Sequence, residues 1–242
     1  MDAMDGSEGA QKRATVDASG LLEGIKAVIL DLDGTMLDTV PDLAAASNAV
    51  RADFGLPALS LERVSRFVGK GAESLMHRSL TDALDGVLDA ARLVEAMARF
   101  EHHYERENGR EAKLYPGVRE GIAQMKSRGL RLACVTNKPY SFSIKLLEQK
   151  GLLADMEFVL GGDSLPQRKP DPLPLLTACE RFGLAPRQVL AIGDSINDAL
   201  AARRAGLPVF AVPYGYNEGL GVESLDVDAI VLSLEAAARL LK

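Results

Sequence analysis

Several features of secreted, membrane-bound and nucleic-acid-binding proteins are missing from this sequence. It has no tryptophan and only two cysteines, Cys134 and Cys179, among 242 residues. Two thiols cannot build the disulfide framework of a small secreted domain, so we expect a reducing, cytoplasmic location, with Cys134 as a small core residue. No apolar run approaches the length of a membrane span, and residues 1–20 lack the basic start and apolar stretch of a signal peptide.

An excess of positive charge is also missing. The 28 lysines and arginines are outnumbered by 34 aspartates and glutamates, which gives a net charge of −6 and no indication of a nucleic-acid partner. The hydrophobic content of 47% is ordinary for a globular protein, and the length suits a core domain with a small inserted one. We interpret residues 1–22 as a flexible tail, and the sequence leaves the oligomeric state open.

Short apolar runs alternate with helical segments in most of the chain. A buried strand is predicted at 25–30, and helices from residue 117 onward alternate with strands at 130–135, 157–160, 188–192, 208–212 and 229–232. This alternation predicts an α/β fold with a doubly wound, Rossmann-like parallel sheet. Helical spacing without strand signals in 39–113 predicts an inserted helical cap domain, here called the helical insertion, in a core of 23–38 and 114–242.

The first polar motif is Asp31-Leu32-Asp33-Gly34-Thr35, directly after the first predicted strand. Residues two apart in extended chain project to the same side, so Asp31 and Asp33 can face one site. Two crowded carboxylates repel unless a cation or a proton intervenes. One could act as a nucleophile and the other as an acid and base, although an ordinary acidic turn would carry the same residues.

Two further motifs follow later strands. Thr136-Asn137-Lys138 ends the strand at 130–135, where a hydroxyl and an amide can bind phosphate oxygens or simply cap a helix. Lys169 precedes Pro170, which stiffens its backbone, so its ammonium group can offset the charge of a phosphate, unless this is only a solvated basic loop.

The fourth motif is Gly193-Asp194-Ser195-Ile196-Asn197-Asp198, and it predicts a metal site. Asp194 ends an apolar strand and Asp198 lies one helical turn later on the same face. Hard oxygen ligands at this spacing suit Mg²⁺. The similar segment Gly162-Asp163-Ser164 has no carboxylate four residues on, so Asp194 is preferred.

In this order, the four motifs resemble those of the haloacid dehalogenase superfamily of phosphatases, over about 24–40 and 114–232. The resemblance implies that Asp31 is the nucleophile, Asp33 the general acid and base, and Mg²⁺ the cofactor, held by Asp31, the Asp33 carbonyl and Asp194. It also implies supporting roles for further residues. Asp198, beside Ser195, would orient metal-bound water, and Thr136, Asn137 and Lys169 would bind the phosphoryl group.

Four further segments are similar to bacterial phosphoglycolate phosphatases: 41–43, 68–71, 115–118 and 214–217. The resemblance implies a small anionic phosphate ester, 2-phosphoglycolate first, as substrate. In those enzymes Asn often stands between the two glycines of the insertion, whereas this chain has Lys70 between Gly69 and Gly71. We expect these three residues to recognise the leaving group.

Rival interpretations remain open at this point. They are a phosphatase for another small metabolite or pyrophosphate, a phosphosugar mutase, a dehalogenase and a non-catalytic phosphate-binding protein. Thr35 disfavours the mutase, where Val is usual, and Asp33 disfavours the dehalogenase, which lacks that carboxylate.

Overall fold

The computed structural model describes residues 22–241, which are built around one parallel β-sheet. The predicted tail at 1–22 lies outside the described residues, apart from Leu22. Eight strands are present in this part of the chain: β1 (Ala27–Leu30), β2 (Leu37–Asp38), β3 (Lys113–Leu114), β4 (Arg131–Val135), β5 (Phe158–Leu160), β6 (Val189–Gly193), β7 (Val209–Ala211) and β8 (Ala229–Ile230). Six of them form the sheet in the order β5-β4-β1-β6-β7-β8, and every neighbouring pair is parallel. The predicted α/β fold class is confirmed.

Both faces of this sheet are apolar, because successive residues of a strand point to opposite sides. Val28 and Leu30 belong to the core on one face, whereas Ala27 and Ile29 belong to the core on the other. The first face is covered by α5 (Val118–Ser127), α6 (Tyr140–Gln149) and α9 (Leu234–Leu240), and the second by α7 (Leu173–Phe182) and α8 (Ile196–Ala205). Cys134 is a free, buried core residue, as expected. None of the described helices is both long and apolar enough to cross a membrane.

Four helices lie between β2 and β3. They are α1 (Val40–Asp53), α2 (Leu61–Ser65), α3 (Ala72–Thr81) and α4 (Ala90–Glu107), and they bury a cluster of their own that includes Val50, Phe67, Met76 and Phe100. The sequence did not predict that β2 and β3 would pair antiparallel, with Leu37 opposite Leu114 and Asp38 opposite Lys113. This pair brings together the two points at which the helical insertion joins the sheet domain.

A buried carboxylate fixes the base of the insertion. Asp42, in the first turn of α1, accepts hydrogen bonds from the backbone N–H groups of Gly109 (2.8 Å), Glu111 (2.7 Å) and Ala112 (3.2 Å). Buried backbone donors without a partner are costly, so this one side chain satisfies the segment by which the chain leaves the insertion. The start and the end of the insertion are thereby joined directly.

Replacing Asp42 should therefore destabilise the protein more than replacing an ordinary helix cap. We expect Asp42→Ala to lower the free energy of unfolding by about 3 kcal/mol, because three backbone donors lose the buried carboxylate that accepts from them. The matched control is Asp89→Ala, which removes an exposed carboxylate bonded to the Arg92 N–H at the start of α4 and should cost about 1 kcal/mol. Urea unfolding followed by circular dichroism measures both, and equal losses would contradict the role assigned to Asp42.

Candidate active site

Four loops that leave the carboxyl ends of the parallel strands carry the polar motifs to one edge of the sheet. Asp31 follows β1, Thr136 follows β4 and Asp194 follows β6, while Lys169 comes from the loop after β5. The Lys169 ammonium lies 2.9 Å from Asp31 Oδ1. Carboxylate oxygens of Asp31, Asp194 and Asp198 all lie within 4.8 Å of one another. The first, third and fourth sequence motifs therefore meet at one point.

Asp194 is held on both of its oxygens. The Thr35 hydroxyl donates to Oδ1 at 2.6 Å, and the Tyr216 backbone N–H donates to Oδ2 at 2.6 Å. Two glycines make room for it, since a Cβ atom at Gly34 or Gly215 would collide with this carboxylate. Gly34 also has a φ of +89°, a conformation that side chains disfavour. The Asp-Gly-Thr part of the first motif thus supports the carboxylate of the fourth.

Asp198 is committed to protein partners. Its Oδ2 accepts from the Ser195 N–H (3.1 Å) and hydroxyl (2.7 Å), and its Oδ1 accepts from Lys169 Nζ at 2.6 Å. Lys169 also donates to the Val135 carbonyl at 2.8 Å and forms an ion pair with Asp31. Through these hydrogen bonds, Asp198 is placed to orient Lys169 and the turn at Ser195.

Negative charge exceeds positive charge at this edge. The charged groups are the carboxylates of Asp31, Asp33, Asp194 and Asp198 and the ammonium groups of Lys138 and Lys169. Burial raises the pKa of Asp31 to about 7, which Lys169 opposes and Asp198 increases. Burial, followed by Asp198 and Asp31, likewise raises the pKa of Asp194. Four carboxylates against two ammonium groups leave two negative charges uncompensated when all are ionised, so this donor set fits a divalent cation bound by oxygen.

Thr136 and Asn137 of the second motif have different hydrogen-bond partners. Thr136 is buried, and its Oγ1 accepts the Lys138 N–H at 3.2 Å. The amide of Asn137 donates to the Lys169 carbonyl at 2.8 Å and to the Gly69 carbonyl at 3.0 Å. Both amide hydrogens of Asn137 are therefore used to join the third motif and the helical insertion to the end of β4.

Lys138 and Tyr104 belong to the same site, although neither was selected from the sequence as a functional residue. Lys138 is buried, and its Nζ lies 3.1 Å from Asp33 Oδ1 and 2.5 Å from the Tyr104 hydroxyl. Burial disfavours its charge, but Asp33 and Tyr104 together outweigh this, so the pKa of Lys138 is raised. The nearest available signal was the third position of Thr136-Asn137-Lys138, whereas Tyr104 looked like one more apolar residue of a helix.

The loop at 68–71 faces the site with its backbone and not with its lysine. The Gly69 carbonyl accepts from Asn137 and, at 3.3 Å, from the Asn197 amide. Gly69 and Gly71 line the cavity that contains Asp31 and Asp33, whereas the Lys70 ammonium lies 2.7 Å from Glu218 Oε1. The cavity measures about 40 Å³.

Comparison with known proteins agrees with this geometry. The family model for haloacid dehalogenase-like hydrolases matches residues 25–206. The chain is 52% identical to a phosphoglycolate phosphatase of Nitrosospira multiformis, over 90% of this chain and 96% of that protein. It is 50% identical to a phosphoglycolate phosphatase of Thiobacillus denitrificans, over 88% of this chain and 94% of the other.

A solved structure gives the same result. The fold matches the crystal structure of a predicted phosphoglycolate phosphatase from Haemophilus somnus 129PT with a TM-score of 0.85 and 33% sequence identity. The match covers 90% of this chain and 99% of that one. The similarity therefore extends over the sheet domain and the helical insertion together.

Magnesium should stabilise the metal-free protein through Asp194. At about a hundred times its dissociation constant, a ligand of the folded state adds about 2.7 kcal/mol, or roughly 5–10 °C in Tm. The pKa of Asp31 is raised from its ordinary value of 3.8 to about 7 in the folded protein. The folded state therefore binds this proton more tightly than the unfolded state does. The stability that results is present below pH 4 and is lost as the pH rises through 7. The magnesium-induced rise in Tm should therefore be larger at pH 8 than at pH 5.

Two variants make this measurement specific. Asp194→Asn should remove most of the rise in Tm. Asp163→Asn is the matched control, because Asp163 only accepts the Tyr140 N–H (2.7 Å) and an asparagine oxygen can do the same. A full rise in Tm in the Asp194 variant would mean that the cation binds elsewhere.

Proposed function

The chain belongs to the haloacid dehalogenase-like hydrolase family, and on that basis we propose that it hydrolyses small anionic phosphate monoesters, with 2-phosphoglycolate as its leading substrate. The observation that carries the proposal is the meeting of Asp31, Asp33, Lys169 and Asp194 at one edge of the sheet, beside a cavity that residues of the helical insertion help to line. The names of relatives at 50% identity and above support the choice of substrate. We further propose that the enzyme works in the cytoplasm.

In the proposed mechanism, Asp31 is the nucleophile. Its carboxylate attacks phosphorus and forms an aspartyl phosphate, while Asp33 transfers a proton to the departing alkoxide. Asp33 then removes a proton from water, which attacks the aspartyl phosphate, releases inorganic phosphate and restores Asp31. Lys169, 2.9 Å from Asp31 Oδ1, keeps this carboxylate oriented. Lys138, 3.1 Å from Asp33 Oδ1, holds the second carboxylate in the same way.

We assign binding of the phosphoryl group to Thr136, Asn137 and Lys169. The Thr136 hydroxyl supplies a hydrogen-bond donor and the Lys169 ammonium supplies a positive charge, each from a loop at the edge of the sheet. Because both side-chain hydrogens of Asn137 are bonded to carbonyls, we assign its contribution to the backbone N–H. A bound phosphoryl group adds negative charge, which makes fixed donors at this position more valuable.

Mg²⁺ is the proposed cofactor, held by Asp31, the Asp33 carbonyl and Asp194, where it would neutralise charge on the substrate and on the carboxylates. Thr35 and Tyr216 keep Asp194 oriented for this role through both of its oxygens. Asp198 and Ser195 are hydrogen-bonded to each other, and this contact holds the turn that follows Asp194.

We propose that residues 39–113 act as a movable cap domain on a core of 23–38 and 114–242. A cavity of about 40 Å³ is small for a phosphate ester, which supports movement of the helical insertion when a substrate enters. Contacts that would break include the bonds from Asn137 and Asn197 to the Gly69 carbonyl, and the 2.8 Å ion pair of Arg168 with Glu73. Closure would exclude water while Asp31 attacks.

Asp31→Asn should abolish phosphate release without unfolding the protein. An amide nearly matches the shape of the carboxylate but cannot act as the nucleophile, so we expect activity to fall at least about a thousandfold. Phosphate release from 2-phosphoglycolate in the presence of magnesium measures activity, and circular dichroism checks the fold. Asp163→Asn serves again as the control with normal activity.

Product analysis of the same reactions tests the reaction class. Free phosphate is expected, and an isomerised sugar phosphate would indicate a mutase. Substantial turnover by the purified Asp31 variant, shown free of wild-type enzyme, would refute the assignment of the nucleophile. Equal rates on a panel of unrelated phosphate esters would refute the proposed preference for 2-phosphoglycolate.

A further inference from the structure

Of the two buried lysines of the site, Lys138 lines the cavity that contains Asp31 and Asp33, whereas Lys169 does not. An ammonium group has three N–H donors. Lys169 donates to Val135 and Asp198 and forms an ion pair with Asp31. Lys138 has two partners among the described residues, Asp33 Oδ1 and the Tyr104 hydroxyl. One donor of Lys138 is therefore left for something that is not part of the described protein, and buried donors are seldom left unpaired.

Tyr104 presents a second unused donor at the same place. Its hydroxyl oxygen accepts from Lys138, but its own proton has no acceptor among residues 22–241. The ring is fixed by Phe100, stacked at 5.1 Å, and by Phe142, edge-on at 4.9 Å. Burial raises the pKa of Tyr104 to about 12 despite the nearby Lys138, so the proton is present at neutral pH. Both donors line the cavity beside Asp31 and Asp33.

The remaining side chains at this end of the cavity provide no other cation. The helical insertion contributes apolar groups, chiefly Leu43, Val68, Leu75 and Phe100. Lys138 is the one cationic side chain among the described residues that line the cavity. A ligand group placed there would meet one ammonium, one phenol, the Asp33 carboxyl group and hydrocarbon. The unused N–H and O–H donors suit the oxygen acceptors of a small anion.

We propose that Lys138, together with Tyr104, binds the carboxylate of the leaving group and so sets the preference for short anionic esters. This inference rests on the proposed function, because Asp33 must face the oxygen that leaves. Lys138 touches Asp33, and in 2-phosphoglycolate a single methylene separates that oxygen from the carboxylate. The cation therefore lies within reach of the carboxylate of a short ester.

This assignment replaces the expectation that Lys70 recognises the leaving group. The Lys70 ammonium is paired with Glu218, which also accepts from Arg78 at 2.6 Å. The three residues join the helical insertion to the loop after β7, outside the cavity lining. Lys70 can hold the insertion in place, but in this arrangement it does not face the leaving group.

The test compares two esters that differ only in the group at issue. Ethyl phosphate has a methyl group where 2-phosphoglycolate has its carboxylate. The ratio of their kcat/KM values measures selectivity and is unchanged by damage common to both reactions. We expect Lys138→Met to lower this ratio about ten- to a hundredfold, since a charge-assisted hydrogen bond is lost. Tyr104→Phe should lower it about three- to tenfold, mainly through KM.

Matched variants complete the design. Lys145→Met removes an exposed ammonium that donates to the Glu105 carbonyl of α4 (2.9 Å), outside the cavity, and should leave the ratio unchanged. Lys70→Met should also leave it near the wild-type value. If Lys138→Met does not fold, Tyr104→Phe decides the question, because it removes one oxygen and keeps the packed ring.

Each possible result has a definite meaning. Equal losses on both esters would show that Lys138 only orients Asp33 or supports the fold, and would overturn the proposal. A selective loss in the Lys70 variant alone would overturn it in favour of the loop at 68–71. If the wild-type enzyme releases phosphate from neither ester, the proposed function fails and this inference fails with it. Wild-type activity on both esters with unchanged ratios in the variants would refute the inference alone.

Discussion

Carboxylates repel one another strongly when they are buried, and this chain places four of them at a single edge of its sheet. Lys169 is shared between Asp31 and Asp198, so its single charge offsets one of these two carboxylates, and Lys138 offsets Asp33. The two negative charges that remain set the demand for a divalent cation. Most other polar contacts at the site serve to keep the carboxylates oriented in spite of their repulsion.

The loop after β7 connects the orientation of Asp194 to the position of the helical insertion. Its Tyr216 N–H holds Asp194, while the Tyr216 hydroxyl donates to Asp38 at 2.5 Å and accepts from the Thr39 N–H at 2.9 Å. Two residues later, Glu218 pairs with Lys70 and Arg78 of the helical insertion. The segment 216–218 thus contacts the proposed metal ligand Asp194, the base of the insertion, and Lys70 and Arg78 within the insertion. The position of the insertion and the geometry of Asp194 are linked through it.

Much of the fold and half of the site could be predicted from the sequence, for identifiable reasons. The strand-end rule for parallel sheets brings Asp31, Thr136 and Asp194 together without knowledge of any side-chain contact. The contact between Thr35 and Asp194 spans 159 positions, and nothing local to either residue indicates it. Lys138 and Tyr104 meet only because α4 packs over the end of β4, so their pairing depends on how the insertion docks. The two-residue strands β2 and β3 are too short to give an alternating pattern.

That antiparallel pair has a consequence for how such proteins diversify. Because Leu37 lies opposite Leu114 and Asp38 opposite Lys113, the chain leaves the sheet domain and returns to it at adjacent points. Because these two points are adjacent, helices of a different number or length could connect β2 to β3 without moving the strands of the parallel sheet. A lineage could therefore exchange the segment between β2 and β3 for a different one while the register of the six parallel strands stayed the same. The sheet domain and the helical segment that covers its edge can then be inherited as separate modules of one continuous gene.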